Sequence, residues 1–462
     1  MGNQKKRSTL RKLAVSLIAI QFSLDSCVYL SNVIQYIQIV SILGSKNPEH
    51  FLSVLQAVSA AVQVLSSFFI GNISEWIGSI KWIIVALYFL SFVGNFLYSC
   101  GGAISLNTLL VGRIICGAAS ASGAVVYSYI TLVVQERSAT FELLSNYRTS
   151  AGLCMAFGQL VAILFALCDF KIGNYRITCF NAPTFASSFI ILITGVLLAV
   201  LLEDPKVTKC NDKRVDLIGA WRQFFDAPAR KIIACLILLW TMFLSTLIIG
   251  EVLYFMPVFL ALQIHWKTEY EGAAFMVAAF LGVLGSLLAP KVVRIVSERE
   301  LSEDVPLEKR ASGEDAKAMN PNEQLKGNVL YRNQVFLSIL ALLIFLLGQA
   351  LIIGASEALS RGALPPTNSG ILFVVGLSIV MIGYNCLGSS VPAIFSTHID
   401  PELKVRLMPC IGAISGVGKL VAPVVFGALY KTELGLPIGV GLGMILVGIS
   451  IPPFIWLLMK RC

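Results

Sequence analysis

Twelve long apolar runs, each of roughly 20 residues or more, follow one another along the chain and leave little sequence for a water-soluble fold. Such a run can cross the ~30 Å hydrocarbon core of a bilayer, and it does so as a helix because lipid offers no partner to backbone N–H and C=O groups. With 56% hydrophobic and 13% charged residues, the chain also has too few charges to cover a soluble surface. The runs, numbered as spans 1 to 12, lie at about 13–43, 51–72, 82–103, 106–130, 145–168, 182–202, 231–262, 272–296, 333–356, 370–396, 408–430 and 436–459.

The spans fall into two groups of six, which predicts an all-α membrane protein with two six-helix bundles, 13–202 and 231–459. Between them, segment 203–230 is basic and carries apolar side chains at helical spacing, so we predict a cytosolic linker with an amphipathic helix on the membrane surface. The second bundle is interrupted by a charged loop at 297–332, whose composition predicts disorder. This loop is interpreted either as a site for a protein partner or as a tolerated insertion.

The distribution of basic residues predicts the orientation of the helices. When both termini (1–12 and 460–462) are placed in the cytosol, the cytosolic segments contain 27 of the 35 lysines and arginines, and the opposite face contains 6. This bias follows the positive-inside rule and explains the net charge of +9 without a nucleic-acid partner. The first run is too long for the apolar core of a signal peptide, so we expect it to remain as span 1.

Four charged residues interrupt the apolar runs: Asp25, Arg113, Glu251 and Lys419. A charge at bilayer depth costs about 3 kcal/mol on insertion scales unless it faces protein or water, so such residues often mark a solute or ion pathway. The structural alternative is a set of salt bridges that holds the helices in one arrangement. We treat all four as candidates for the pathway, with Glu251 as the candidate for proton coupling.

Polar side chains also stand out in two of the spans. In span 1, Tyr29 and Asn32 follow Asp25 at roughly helical spacing. In span 10, Tyr384 and Asn385 form a polar centre in apolar sequence. A water-filled cavity between the two bundles would explain both features, and we add these four residues to the candidate pathway.

The sequence gives no support for an enzyme, a metal site or a cofactor. No arrangement of serine, histidine and acid is present, and the 3 histidines lie in or beside loops. Most of the 11 cysteines lie within spans, where cysteine is a small packing residue. Cys168 and Cys179 flank one non-cytosolic loop, and whether they form a disulfide stays open.

Two segments resemble signatures of the major facilitator superfamily. The turn at 71–81 resembles its signature loop, with Glu75 in the place of the usual aspartate. Arg113, followed by Gly117, stands where the superfamily often has a basic residue that is tied to proton coupling. The resemblance implies the major facilitator fold, with spans 1, 4, 7 and 10 around the cavity. It also implies a conformational gating loop formed by Gly71, Glu75, Gly78 and Lys81.

A narrower resemblance is to the lysosomal branch of this superfamily that is linked to neuronal ceroid-lipofuscinosis. It rests on segments 135–137, 181–183 and 416–423 and on Glu251. This branch implies a multi-pass protein of lysosomal or late-endosomal membranes, with chloride conductance as the proposed activity. Two positions lack arginines that the branch has, Tyr127 and Lys419.

The leading hypothesis is a secondary transporter that works by alternating access on a small anionic or polar solute, with proton coupling left open. One alternative is a chloride or anion channel of the endolysosomal membrane on a carrier scaffold. The other is a non-transporting sensor or trafficking partner whose loop 297–332 binds another protein. Polar stripes in spans 1, 7 and 10 favour the two transport hypotheses.

Overall fold

The computed structural model describes residues 7–20, 40–45, 48–134, 136–165, 168–173, 175–178, 181–205, 217–266, 268–303, 321–400, 403–429 and 435–459. These residues are almost entirely helical, as the apolar runs predict. Ten of the described helical stretches are long and apolar enough to cross a membrane.

The first bundle contains spans 2 to 6 and a helical segment before them. A short antiparallel hairpin, β1 (Asp169–Ile172) and β2 (Tyr175–Thr178), joins its last two helices. The helices are α1 (residues 7–20), α2 (Pro48–Ile77), α3 (Ile80–Ile104), α4 (Leu106–Ala119), α5 (Ser122–Val133), α6 (Arg137–Leu164) and α7 (Ala182–Leu201).

The second bundle contains spans 7 to 12 and follows a short helix in the predicted linker, in which Phe224 is buried and Arg222 exposed. A π-helical turn, Phe259–Gln263, ends span 7. The helices are α8 (Leu217–Phe225), α9 (Ala229–Val258), α10 (Thr268–Glu303), α11 (Pro321–Ser360), α12 (Pro366–His398), α13 (Lys404–Leu407), α14 (Pro409–Leu429) and α15 (Gly435–Met459).

Span 4 is two helices rather than one. Helices α4 and α5 meet at Ser120 and Ala121, within a run of small residues. The Ser120 hydroxyl donates a 2.9 Å hydrogen bond to the carbonyl of Cys116. A serine hydroxyl that competes for a helical carbonyl favours a break or bend at such a position.

The predicted disordered loop 297–332 is helical at both ends, so the prediction of disorder is wrong there. Helix α10 continues to Glu303 and α11 begins at Pro321, while 304–320 lies outside the described residues. The two extensions pair with each other through Arg332 and Glu300, whose Nη2 and Oε2 atoms are 2.6 Å apart. Charged residues that were assigned to a solvated loop therefore lie on two helices and join them where these helices extend beyond their apolar segments.

Span 5 also differs from its prediction as an apolar run at 145–168. Its helix, α6, begins at Arg137 and has 28 residues, which is long enough to cross a bilayer. Several polar side chains on this helix, among them Ser145, Arg148 and Thr149, contact α10 or α12 of the second bundle.

One end of the molecule, called here the Gly78 end, carries the turn between α2 and α3. Gly78 adopts a φ of +74°, which glycine tolerates without a steric penalty. Because successive spans alternate in direction, the same end carries the start of α6 and the end of α12. Polar contacts join chain segments here, including Arg11 with Glu203 at 3.1 Å and Ser79 Oγ with Asp204 Oδ2 at 2.7 Å.

The two bundles meet along two groups of helices. Helix α6 of the first bundle packs against α10 and α12 of the second, and α2 and α5 pack against α14. Elsewhere each bundle packs mainly on itself, with α3 against α4 and α11 against α12. Residues on the facing sides of either group can therefore form a site between the bundles.

Candidate functional site

A buried arginine lies at the meeting of the two bundles. Arg148 of α6 is only 7% exposed. Ser145, Thr149 and Gly152 share its face of the helix, at the spacing that places side chains on one side of an α-helix. This polar face points at α10 and α12.

The Arg148 guanidinium has partners on both bundles. Its Nη2 donates a 2.7 Å hydrogen bond to Tyr127 Oη of α5. From α12, the Gly388 carbonyl accepts from Nε at 3.0 Å, and Tyr384 Oη lies 3.5 Å from Nη1. The guanidinium also lies 5.5 Å from the centroid of the Tyr384 ring. Arg148 is thus held by neutral groups from two helices.

These contacts leave part of the Arg148 donor capacity free for a solute. A guanidinium has five N–H donors, and the described contacts use three of them. No carboxylate of the described residues lies within ion-pair distance of it. A cation at this depth with N–H groups to spare suits a carboxylate or another anionic group, which guanidinium binds through two parallel hydrogen bonds.

Aromatic and amide groups surround this cation. The Tyr127 and Tyr147 rings meet edge to face, with centroids 6.0 Å apart. Asn385 lies where α6, α10 and α12 converge: a Cβ atom at Gly282 would be 2.9 Å from its Nδ2, and one at Gly152 would be 3.7 Å away. Tyr384 and Asn385, which the sequence analysis named together, therefore lie near Arg148, a residue that the sequence analysis did not associate with them.

Several other candidates lie partly or wholly outside what the structure describes. Asp25, Tyr29 and Asn32 fall in segment 21–39, outside the described residues. Glu251 is on α9, but its side chain is likewise not described. Its neighbour Gly250 faces α14, where an added Cβ would lie 2.7 Å from the Cβ of Ala422.

The remaining two charged candidates are separate from the Arg148 cluster. Arg113 is buried within the first bundle, and its guanidinium carbon lies 4.4 Å from the centroid of the Tyr98 ring. It precedes Tyr127 by about four helical turns, or roughly 20 Å along span 4. Lys419 is half-buried on α14, beside Gly418, which packs against α9 at Thr246.

The predicted gating loop forms an ion pair between the two bundles. Arg406 of α13 donates from Nε to Glu75 Oε2 at 2.7 Å, and its Nη2 contacts the same oxygen. Gly71 allows this approach, because a Cβ atom there would lie 3.0 Å from the Val405 carbonyl oxygen. Lys81 does not extend this pair; its Nζ lies 5.5 Å from the centroid of the Trp82 ring.

Sequence reasoning missed two functional candidates, Arg148 and Arg406. Arg148 lies just inside the predicted start of span 5, where a basic side chain is readily assigned to the preceding loop. Its helical spacing with Ser145, Thr149 and Gly152 was the available signal. Arg406 pairs with a residue 331 positions away, and no local pattern encodes that contact.

Among the ranges that the structure describes, no group of three or more His, Cys, Asp or Glu residues could hold a metal ion. The site is instead built from one guanidinium, hydroxyls, an amide and backbone carbonyls. Groups of this kind can form hydrogen bonds with a polar solute.

Comparisons with known proteins agree with this architecture. The model of the Major Facilitator Superfamily matches residues 17–301. The chain is 62% identical over 458 residues to the MFS-type transporter PUL3 of Kluyveromyces lactis, covering 99% of this chain and 98% of that protein. It is 56% identical over 330 residues to the membrane protein YNR062C of Saccharomyces cerevisiae, covering 71% and 99% of the two chains.

Solved structures of low sequence identity share the fold. The proton:xylose symporter XylE superposes with a TM-score of 0.70 at 13% identity, covering 98% of this chain and 96% of XylE. The human organic anion transporter MFSD10 superposes with a TM-score of 0.64 at 12% identity, covering 97% and 99%. The predicted all-α fold is confirmed. The two relatives are fungal and carry no lysosomal label, so the resemblance to the lysosomal branch stays a prediction.

Proposed function

The chain belongs to the major facilitator superfamily and is a secondary membrane transporter, and from this premise we propose that it carries a small organic anion with Arg148 as the anion-binding residue. The observation that carries the proposal is the buried Arg148, which has N–H donors to spare and lies where the two bundles meet. Transporters built from two related halves bind their solutes between the halves, near the middle of the membrane.

The contacts at the Gly78 end support an alternating-access cycle. Glu75 and Arg406 join the bundles there, and Ser128 Oγ donates to the Val405 carbonyl at 3.3 Å. We infer that these contacts close the path from the Gly78 end to Arg148, so that solute would enter from the other end. The bias of basic residues places the Gly78 end in the cytosol, so we assign this state as closed to the cytosol.

The finer properties remain part of the proposal. The resemblance in sequence supports localisation to an endolysosomal membrane and makes chloride one candidate anion. Glu251 stays the candidate for proton coupling, and loop 297–332 stays the candidate site for a protein partner. A carrier gives saturable flux, a channel gives fast, non-saturating flux, and a sensor gives no flux. The following experiment measures which of these occurs.

The test is flux into proteoliposomes that contain the full-length protein. Benzoate, chloride and xylose serve as an organic anion, an inorganic anion and a neutral solute. We expect saturable benzoate flux that falls about 10- to 100-fold in Arg148→Gln and less in Arg148→Lys, because only lysine keeps the charge. Arg361→Gln is the matched control, since Arg361 is exposed and pairs with Glu357 one helical turn away.

Each hypothesis predicts a different outcome. Flux of xylose but not of benzoate, or equal benzoate flux in wild type and Arg148→Gln, contradicts the anion assignment. Fast, non-saturating chloride conductance supports the channel hypothesis. A folded protein without flux of any of the three solutes favours the sensor or trafficking role.

A further inference from the structure

Two helices of the second bundle contain an interior proline where they face the first bundle. These are Pro290 in α10 and Pro392 in α12. Proline has no N–H, so the carbonyl four residues earlier in each helix loses its usual donor. The two carbonyls belong to Ser286 and Gly388. A carbonyl without a donor is costly at bilayer depth, so each requires a partner from another helix.

One face of α6 supplies both partners. Arg148 donates from Nε to the Gly388 carbonyl at 3.0 Å. One helical turn earlier, Ser145 donates from Oγ to the Ser286 carbonyl, and Thr149 Oγ1 adds a 2.9 Å hydrogen bond to Ser286 Oγ. Both carbonyls that proline deprives of a donor are thus satisfied by the opposite bundle.

The space for Arg148 is equally specific. A Cβ atom at Gly388 would lie 2.5 Å from Nε and 2.7 Å from Cζ of Arg148. Any residue other than glycine at 388 would push the guanidinium away from the carbonyl. Gly388 provides the space and the acceptor, and Pro392 keeps that acceptor free of its own helix.

We propose that Pro290 and Pro392 are positioning residues of the transporter, which orient Ser145 and Arg148 through the carbonyls that they leave free. The two hydrogen bonds to these carbonyls form a latch between the bundles. Separation of the bundles along α6 breaks both at once, so the latch favours the described state. The role of Arg148 in solute binding rests on the proposed function, but the latch does not depend on the identity of the solute.

The latch is tested by amide hydrogen exchange of the full-length protein without added solute. The readout is segment 403–412, which lies at the Gly78 end and is joined to the first bundle. We expect exchange there to be about tenfold faster in Pro392→Ala and in Pro290→Ala, because the restored N–H competes with the donor from α6. Pro452→Ala is the control, since α15 packs within the second bundle.

Conservative variants show whether each proline acts through its carbonyl. Ser145→Ala removes the donor to Ser286 and is expected to accelerate exchange as Pro290→Ala does. The double variant Ser145→Ala/Pro290→Ala should then be no faster than either single variant, whereas Ser145→Ala/Pro392→Ala should show both effects. If the effects of Ser145→Ala and Pro290→Ala on the exchange rate add fully in the double variant, the proposal is wrong. If a proline variant does not fold, exchange in Ser145→Ala alone tests the hydrogen bond to the Ser286 carbonyl, and an unchanged rate would overturn the proposal.

Transport by the same variants separates this proposal from the proposed function. Pro392→Ala should raise the KM for benzoate more than Pro290→Ala, because only Pro392 acts through Arg148. If the proline variants exchange faster but the wild type does not transport benzoate, the latch is retained and the organic anion is rejected as the solute. Unchanged exchange in both proline variants would reject the latch, whatever the flux.

Discussion

Two buried arginines are stabilised in different ways in this molecule. Arg113 stacks on Tyr98 within one bundle, whereas Arg148 binds hydroxyl and carbonyl groups from both bundles. A charge whose partners lie on two moving bodies changes its environment when those bodies move. At the scale of single residues, we therefore propose that Arg148 couples solute binding to the arrangement of the bundles.

The Tyr127 hydroxyl is expected to orient this guanidinium. Tyr127→Phe removes an acceptor 2.7 Å from Nη2, and we predict a three- to tenfold rise in the KM for benzoate with a loss of about 1 kcal/mol in stability. Tyr88→Phe is the control, because it removes a 2.6 Å hydrogen bond to the Leu17 carbonyl away from the site. Equal KM values for the two variants would contradict the role of Tyr127.

Of the proposed site, the sequence predicted Tyr384 and Asn385 as candidates but not Arg148 at its centre. Tyr384 and Asn385 stand out because polar side chains are rare in an apolar span. Arg148 does not, because a basic residue near the end of a span resembles an ordinary loop residue. Only the packing of α6 against α10 and α12 shows that Arg148 is buried between the bundles rather than part of a loop.

At the scale of helices, small residues set how closely neighbours pack. A Cβ atom at Gly112 of α4 would lie 2.7 Å from the Tyr98 amide nitrogen of α3, while nothing lies within 4 Å of one at Gly354 in α11. Gly112 belongs to a run of small residues in span 4, and small residues let neighbouring helices approach closely. The extent of α10 and α11 was not predictable, since it depends on ion pairs between them.

These two glycines give opposite predictions for the same substitution. Gly112→Ala should destabilise the protein by about 1–3 kcal/mol, because the backbone of α3 cannot move aside cheaply. Gly354→Ala should be neutral or stabilising by up to about 1 kcal/mol, because alanine is the better helix former. Thermal unfolding in detergent measures both, and equal melting temperatures would contradict the packing argument.

At the scale of the whole molecule, the Glu75–Arg406 ion pair joins the two bundles at the Gly78 end, and we propose that it keeps this end closed. We predict that Glu75→Gln and Arg406→Gln each accelerate hydrogen exchange in segment 403–412 and lower transport, because each leaves a partly buried charge without its partner. The charge swap Glu75→Arg/Arg406→Glu should restore part of the protection.

The control for this pair is Lys231→Gln. Lys231 lies 3.4 Å from Asp400 in an exposed pair within the second bundle, where little stabilisation is expected. If it accelerated exchange as much as Glu75→Gln does, the effect would reflect general loss of charge at this end rather than opening of the bundles.

The polar character of α6 has a consequence for biosynthesis. A helix that carries an arginine and several hydroxyl groups on one face is more stable in the membrane once neighbouring helices cover that face. The helices that do so, α10 and α12, are synthesised after the whole first bundle. We expect a chain truncated at residue 205 to leave α6 poorly inserted, and protease protection in microsomes would show this. We therefore expect the first half to complete its integration into the membrane only when the second half has been translated.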